Sequence, residues 1–241
     1  MGDLPDYTRQ VTIRYEGGFL GLEELAVRLG FPGVWNLKGN IVLMEDFESE
    51  LTEWLDDSDG IGSTAARTSS HKYSGDWSVK LHTISTIGAR AGLERYFHCS
   101  GVGKYAVFMR ICLEEHYPRV GFFLELDTPT INAVVDVRFD YWTKTLSVLG
   151  YGGISHTVAT DMDLNCEQLT WYPLMVTFDL AQKTYDKLYF SDREYDISDV
   201  ALDYAEPGDP LWGYLKISTE QWAGTSFDVY VDDIIIAKNV P

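Results

Sequence analysis

The run Ser226-Phe227-Asp228-Val229-Tyr230-Val231-Asp232-Asp233-Ile234-Ile235-Ile236 decides the fold class of this chain. β-Branched and aromatic residues dominate it, as in a strand packed against a core. Its first half alternates: Phe227, Val229 and Val231 share one side, Asp228, Tyr230 and Asp232 the other. A regular continuation would carry Asp233 onto the apolar side, where a lone carboxylate is costly to bury. The pattern therefore predicts either a bulge that re-aims Asp233, or a cation or donor cluster that meets it.

Upstream the same texture recurs. Residues 41–45, 64–70, 77–83, 91–99, 104–113, 120–126, 133–140, 145–149, 156–159, 172–180, 185–190 and 211–218 read as strands separated by turn residues, with an acidic loop around Trp54. So many short, closely punctuated strands predict an all-β sandwich. Two turns echo each other, Phe139-Asp140-Tyr141-Trp142-Thr143-Lys144-Thr145 and Phe178-Asp179-Leu180-Ala181-Gln182-Lys183-Thr184. In each, the Asp can accept from turn amides, so both are expected as successive hairpins of one meander. Gly101-Val102-Gly103 predicts a further hairpin turn between Cys99 and Cys112. With Cys166 the cysteines are odd in number and lack metal spacing, so buried free thiols are expected.

Residues 1–40 differ from the sandwich domain expected at 41–241. Residues 11–15 read as a strand, and Leu22, Leu25, Ala26 and Leu29 fall at helical spacing before the stop at Gly30 and Pro32. So short an amphipathic helix is marginal alone and must pack on its own sandwich or on a neighbour; an arm between subunits of a homo-oligomer is expected. Asp3-Leu4-Pro5-Asp6-Tyr7-Thr8-Arg9-Gln10-Val11, followed by Leu25-Ala26-Val27-Arg28-Leu29-Gly30, resembles the openings of tailed-phage virion proteins.

The chain of 241 residues carries 19 basic and 37 acidic side chains, a net charge of −18. That balance argues against nucleic acid and anionic membranes as partners and suits divalent cations. No apolar run is long enough to span a bilayer. The opening Met-Gly-Asp-Leu-Pro-Asp has neither a basic start nor an apolar stretch, so synthesis in a cytoplasm without a signal peptide is expected.

An apolar strand ending in Asp-Asp resembles the last strand of carbohydrate-binding jelly rolls, whose first strand often carries a segment like Glu45-Asp46-Phe47-Glu48. Asp46-Phe47-Glu48, Trp54, Tyr73-Ser74-Gly75 and Ser78-Val79-Lys80-Leu81 are similar to the opening of such modules. Residues 171–197 resemble laminin-G and concanavalin-like sandwiches. These resemblances imply an antiparallel jelly-roll β-sandwich whose first and last strands meet, with Phe47 and Trp54 in the core. Asp46, Glu48, Asp232 and Asp233 would then repel one another unless a cation or hydrogen bonds joined them, which makes them the candidate structural calcium site.

Concanavalin-like endoglycosidases carry Glu-x-Asp-x-Glu along one strand, three acids on one face. Here Glu125 and Asp127 match, but Pro129 stands at the third position and transfers no proton. A chain without enzymatic activity is the expectation. Glycan recognition would use aromatic faces, and Tyr141, Trp142, Tyr151, Trp212 and Trp222 sit in or near turns. Together these features lead to an expected structural assembly protein at a phage particle surface, head decoration or tail-associated, contacting itself and other particle proteins. The alternative is a carbohydrate-binding module or lectin-like binder of cell-surface glycan.

Overall fold

The computed structural model describes residues 39–240, apart from 59–61, 100, 115–117, 165, 167–168, 206–210 and 223. The expected arm strand, helix and domain boundary at residue 40 concern residues outside or at the limit of that range. Within it the strands are β1 (Asn40–Glu45), β2 (Leu55–Asp56), β3 (Thr64–Thr68), β4 (Ser78–Thr83), β5 (Arg90–His98), β6 (Lys104–Leu113), β7 (Pro118–Thr128) and β8 (Ile131–Asp140). They continue with β9 (Thr145–Gly150), β10 (Ile154–Ala159), β11 (Trp171–Asp179), β12 (Thr184–Phe190), β13 (Arg193–Asp196), β14 (Asp203–Ala205), β15 (Trp212–Gln221) and β16 (Phe227–Lys238).

They form two antiparallel sheets. The first runs β13-β12-β11-β6-β16-β4-β3, with β1 also on β16; the second runs β10-β9-β8-β7-β15-β5-β2, with β14 also on β8. Alternate residues of each strand turn inward. Val107, Met109, Ile111 and Phe178 from one sheet and Phe122, Leu124, Val137 and Phe139 from the other are all buried in one core. Each such side chain contributes roughly 1.5–3 kcal/mol on burial. Phe139 and Phe190 meet across the core at 5.3 Å between ring centres. Phe47 and Trp54 are buried there as the resemblance implied, 5.9 Å apart.

Both echoed turns are hairpins. Asp140 accepts from the Thr143 amide, Asp179 accepts from the Ala181 and Gln182 amides, and Lys144 and Lys183 take left-handed φ values of 53° and 59°. They do not form one meander, however: β8–β9 lies in the second sheet and β11–β12 in the first. The turn at Gly101–Val102–Gly103, by contrast, is not a hairpin. It carries the chain from β5 in the second sheet to β6 in the first, and Tyr105 donates its hydroxyl back to the Gly101 carbonyl. Left-handed glycines reverse a chain whether or not the two flanking strands pair. Cys99, Cys112 and Cys166 are free and buried.

The closing strand uses both devices that its pattern allowed. Its register against β6 slips between Asp232 and Ile235, with Asp233 at φ 48°. This bulge lies where β16 exchanges one neighbour for another: Phe227–Val231 pair with β4, and Ile234 onward with β1. Asp232 and Asp233 are thereby kept out of the central core and face donors. The Tyr73 and Ser74 amides donate to Asp232 at 2.9 and 3.1 Å, the Asp233 amide donates to its other oxygen at 2.9 Å, and the Ser74 hydroxyl donates to Asp233 at 2.7 Å. Arg110, 4 % exposed, pairs with Asp233 at 3.3 Å and lies 3.6 Å over the Tyr73 ring.

Two outcomes are expected from this junction. Arg110→Met leaves the Asp233 carboxylate buried without its cation; it should cost about 3–5 kcal/mol, measured by urea denaturation. Burial and the Asp233 charge push the Asp232 carboxyl up to about 8, against the pull of its three amides. Between the ordinary carboxylate range and that value, the folded state holds a proton that the unfolded chain has released. Stability should therefore fall as pH rises from about 5 to 8. Melting temperatures across that window should slope less in Asp232→Asn, whose side chain does not titrate.

Candidate functional site

The residues singled out in the sequence scatter to several places. Tyr141 is a core side chain, 9 % exposed and packed on Phe139, because its strand parity turns it inward despite the adjoining turn. Trp142 is exposed at the β8–β9 turn. Tyr151 is exposed on a single 3-10 turn and stacks near Tyr204 at 5.0 Å. Glu48 accepts from the Asp76 and Trp77 amides at 2.8 and 3.0 Å, on the loop that also donates to Asp232. Asp46 accepts from the Glu48 amide at 3.2 Å. The acid that ties the end of β1 to the second sheet is Glu45, which accepts from Trp54 Nε1 at 3.0 Å and Arg95 at 2.7 Å. Among the described residues, no three or more His, Cys, Asp or Glu side chains converge as metal ligands. The carboxylates of the proposed calcium corner are met by peptide amides, a hydroxyl and a guanidinium.

Trp212 opens β15 and Trp222 directly follows it, so the two share the outer face of the second sheet at opposite ends, about 30 Å apart. Strand registers build the rest of this face. Outward residues of β15 (Trp212, Tyr214, Lys216, Ser218, Glu220) align with Asp127, Glu125, Phe123, Gly121 and Arg119 of β7. On the other side they align with His98, Tyr96, Glu94, Gly92 and Arg90 of β5. Beyond β7, Asp136, Arg138 and Asp140 of β8 stand opposite Phe123, Gly121 and Arg119. Glu125 and Asp127 therefore do share this outer face, with Glu125 accepting from Asn132 at 2.8 Å and Asp127 buried. The chain leaves the strand at Pro129.

Half of the face is aromatic. Phe123, Tyr214, Tyr96 and Trp212 follow one another with ring centres 6.1, 5.0 and 6.0 Å apart, and Tyr96 is 59 % exposed. The Tyr214 hydroxyl donates to Glu94 at 2.5 Å; burial first, and this bond next, hold its pKa above the ordinary phenol value. The other half is a depression of about 330 Å³ floored by Gly121 and Ser218 and walled by Arg119, Arg138, Lys216 and Tyr214. Arg119 bonds Asp140 at 3.1 Å and lies 4.3 Å over the exposed Trp222 ring. Arg138 grips Asp136 with two nitrogens, Nε at 2.8 Å. Burial raises the Asp136 carboxyl above its ordinary range, with Arg138 opposing. Asp136 is held in place by Tyr185, whose hydroxyl accepts from the Asp136 amide and donates to the Leu149 carbonyl. Sequence reading reached Trp212 and Trp222 but missed Tyr96, Phe123, Tyr214 and the basic residues. Their outward parity is readable within each strand; that three strands bring them side by side is not.

No protein-family model and no curated protein sequence matches the chain. Solved structures do. An endo-β-1,4-glucuronan lyase from the fungus Trichoderma reesei superposes with a TM-score of 0.55 at 12 % identity, covering 82 % of this chain and 95 % of that one. Lectin I-B4 from Griffonia simplicifolia, in metal-free form, gives 0.52 at 13 %, covering 82 % and 100 %. The conserved carbohydrate esterase of the Shiga toxin-encoding bacteriophage phi24B gives 0.52 at 13 %, covering 78 % and 91 %.

The fold is the concanavalin A-like jelly roll.

One expectation is overturned by these likenesses. A chain without enzymatic activity was inferred from Pro129, yet a lyase and an esterase share this fold. One missing carboxylate on β7 does not exclude catalysis.

The bare floor of the depression has a packing cause that can be tested. A Cβ on Gly121 would meet the Val137 carbonyl oxygen at 2.1 Å, so the neighbouring backbone would have to shift. Gly121→Ala should destabilise the protein by about 1–3 kcal/mol in thermal melting.

Proposed function

We propose that this protein recognises glycans on the outer face of its second sheet, as a component displayed by a phage particle. The aromatic run Phe123–Tyr214–Tyr96–Trp212 beside a polar depression carries the reading. Sugar rings present apolar C–H faces that stack on aromatic rings, and hydroxyls that need polar partners. An aromatic strip that crosses β7, β15 and β5 and is bordered by charged side chains supplies both. Likeness of fold to a lectin, a lyase acting on glucuronan and a phage carbohydrate esterase supports a carbohydrate ligand. The particle setting is supported by the N-terminal resemblance to virion proteins and by the phage origin of the esterase.

The test is a glycan array probed with wild-type protein and variants, with release of reducing ends and unsaturated products scored on every glycan bound. Tyr96→Ala and Trp212→Ala should each weaken binding about tenfold or more, and Trp142→Ala, outside the strip, should leave it unchanged. Equal loss in all three, or no loss in the first two, would remove the strip from the reading. Immunogold labelling of native particles tests the setting; label on a particle surface is expected.

A further inference from the structure

Four basic side chains of a protein with net charge −18 gather in one depression: Arg90, Arg119, Arg138 and Lys216. Each pairs with an acid of the same face, so the depression is close to neutral by count. Its exposed layer is not. Arg138 is 51 % exposed over Asp136 at 3 %, Arg119 28 % over Asp140 at 17 %, and Arg90 35 % over Asp57 at 18 %. Lys216 reaches the same Asp57 from the adjacent strand β15. Under the three arginines the acids lie deeper than the cations, while Lys216 and Asp57 are evenly buried, 19 % and 18 % exposed. Glu220, paired with Arg119 at 3.6 Å, is the acid on the rim that stays comparably exposed, at 38 %.

This layering selects the chemistry of a ligand. Carboxylates in a sugar site accept hydrogen bonds from hydroxyls; here Asp136 and Asp57 are turned to their own cations and offer little. What the depression presents is N–H donors. Arg138 spends Nε and Nη2 on Asp136, which leaves Nη1 without a protein partner among the described residues. Lys216 spends one of its three donors on Asp57. Ser218, beside Lys216 on β15 and level with Arg138 across Gly121, adds a hydroxyl. Two interstrand spacings, about 10 Å, separate the β8 and β15 walls across the bare Gly121, room for a sugar ring with a charged substituent. Carboxylates accept and do not donate, and they bond guanidinium and ammonium groups most strongly. A donor-rich surface whose arginines are held from below by more buried acids is therefore matched to an anionic sugar.

We infer that the depression binds the carboxylate of a uronic acid residue, between Arg138 and Lys216, while neighbouring sugars stack on the aromatic strip. This rests on the glycan reading of the same face and adds its ligand class.

Polygalacturonate, polyglucuronate and alginate are each compared with their carboxyl-reduced forms by isothermal titration calorimetry on the full chain. Reduction keeps the polymer backbone and turns each carboxylate into a neutral hydroxymethyl group. The expected result is that at least one uronate binds about tenfold or more tighter than its reduced form. Arg138→Lys combined with Lys216→Met, which keeps a cation over Asp136, should abolish that preference while leaving the melting temperature and any residual affinity for the reduced polymer intact. Equal affinity for parent and reduced polymers, or a preference that survives the double variant, would overturn the uronate assignment and leave the glycan reading standing. Absence of binding to every polymer in both forms, together with an empty glycan array, would overturn both.

Discussion

The structure depends on how two adjacent carboxylates are kept inside a sheet. Asp232 and Asp233 occupy the middle of the strand that pairs with β6 on one side and with β4 and then β1 on the other. Unmet, two such charges would cost more than the strand's apolar neighbours supply. They are met by a loop, residues 71–77, pinned from one side by Asp232 and from the other by Glu48, with Arg110 closing the arrangement. The junction therefore fixes where β1 replaces β4, and with it the first strand of the sandwich against the last.

Much of this was legible in the sequence, for a physical reason. Alternation within a strand depends on neighbours in the chain, and so do turns stabilised by an Asp two or three residues before the amides it accepts. Asp140 and Asp179 announced their hairpins for that reason. The break of alternation at Asp233 announced the bulge in the same way. What the chain does not encode locally is which sheet a strand joins. Hence β5 and β6 were read as partners when they lie in opposite sheets, and two hairpins were read as one meander. The site suffered most, because it is made of rows across β5, β15, β7 and β8 rather than of residues along any one of them. Two tryptophans next to turns could be found; Tyr96 and Tyr214, far apart in sequence and 5.0 Å apart in space, could not.

The outer face of the second sheet also shows why a carboxylate count is a poor guide to a ligand. A strongly acidic chain suggests affinity for cations, but on this face position decides what a ligand meets. Where acids are covered by the guanidinium groups they hold, as Asp136 is by Arg138, the surface behaves as a donor layer and the buried charge serves to orient it.

The strand order has a consequence for how the molecule comes to be folded. The middle strands of both sheets, β15 and β16, are the latest of the described strands in the chain. Until the ribosome has released them, β6 lacks its partner β16 in one sheet, and β5 and β7 lack β15 between them in the other. Each half-sheet must then wait with apolar faces and unpaired edges open. Contacts this distant in sequence close slowly, on the millisecond-to-second scale of all-β domains. The nascent chain thus passes through a sticky interval before its last strands arrive, a hazard set by topology rather than by stability.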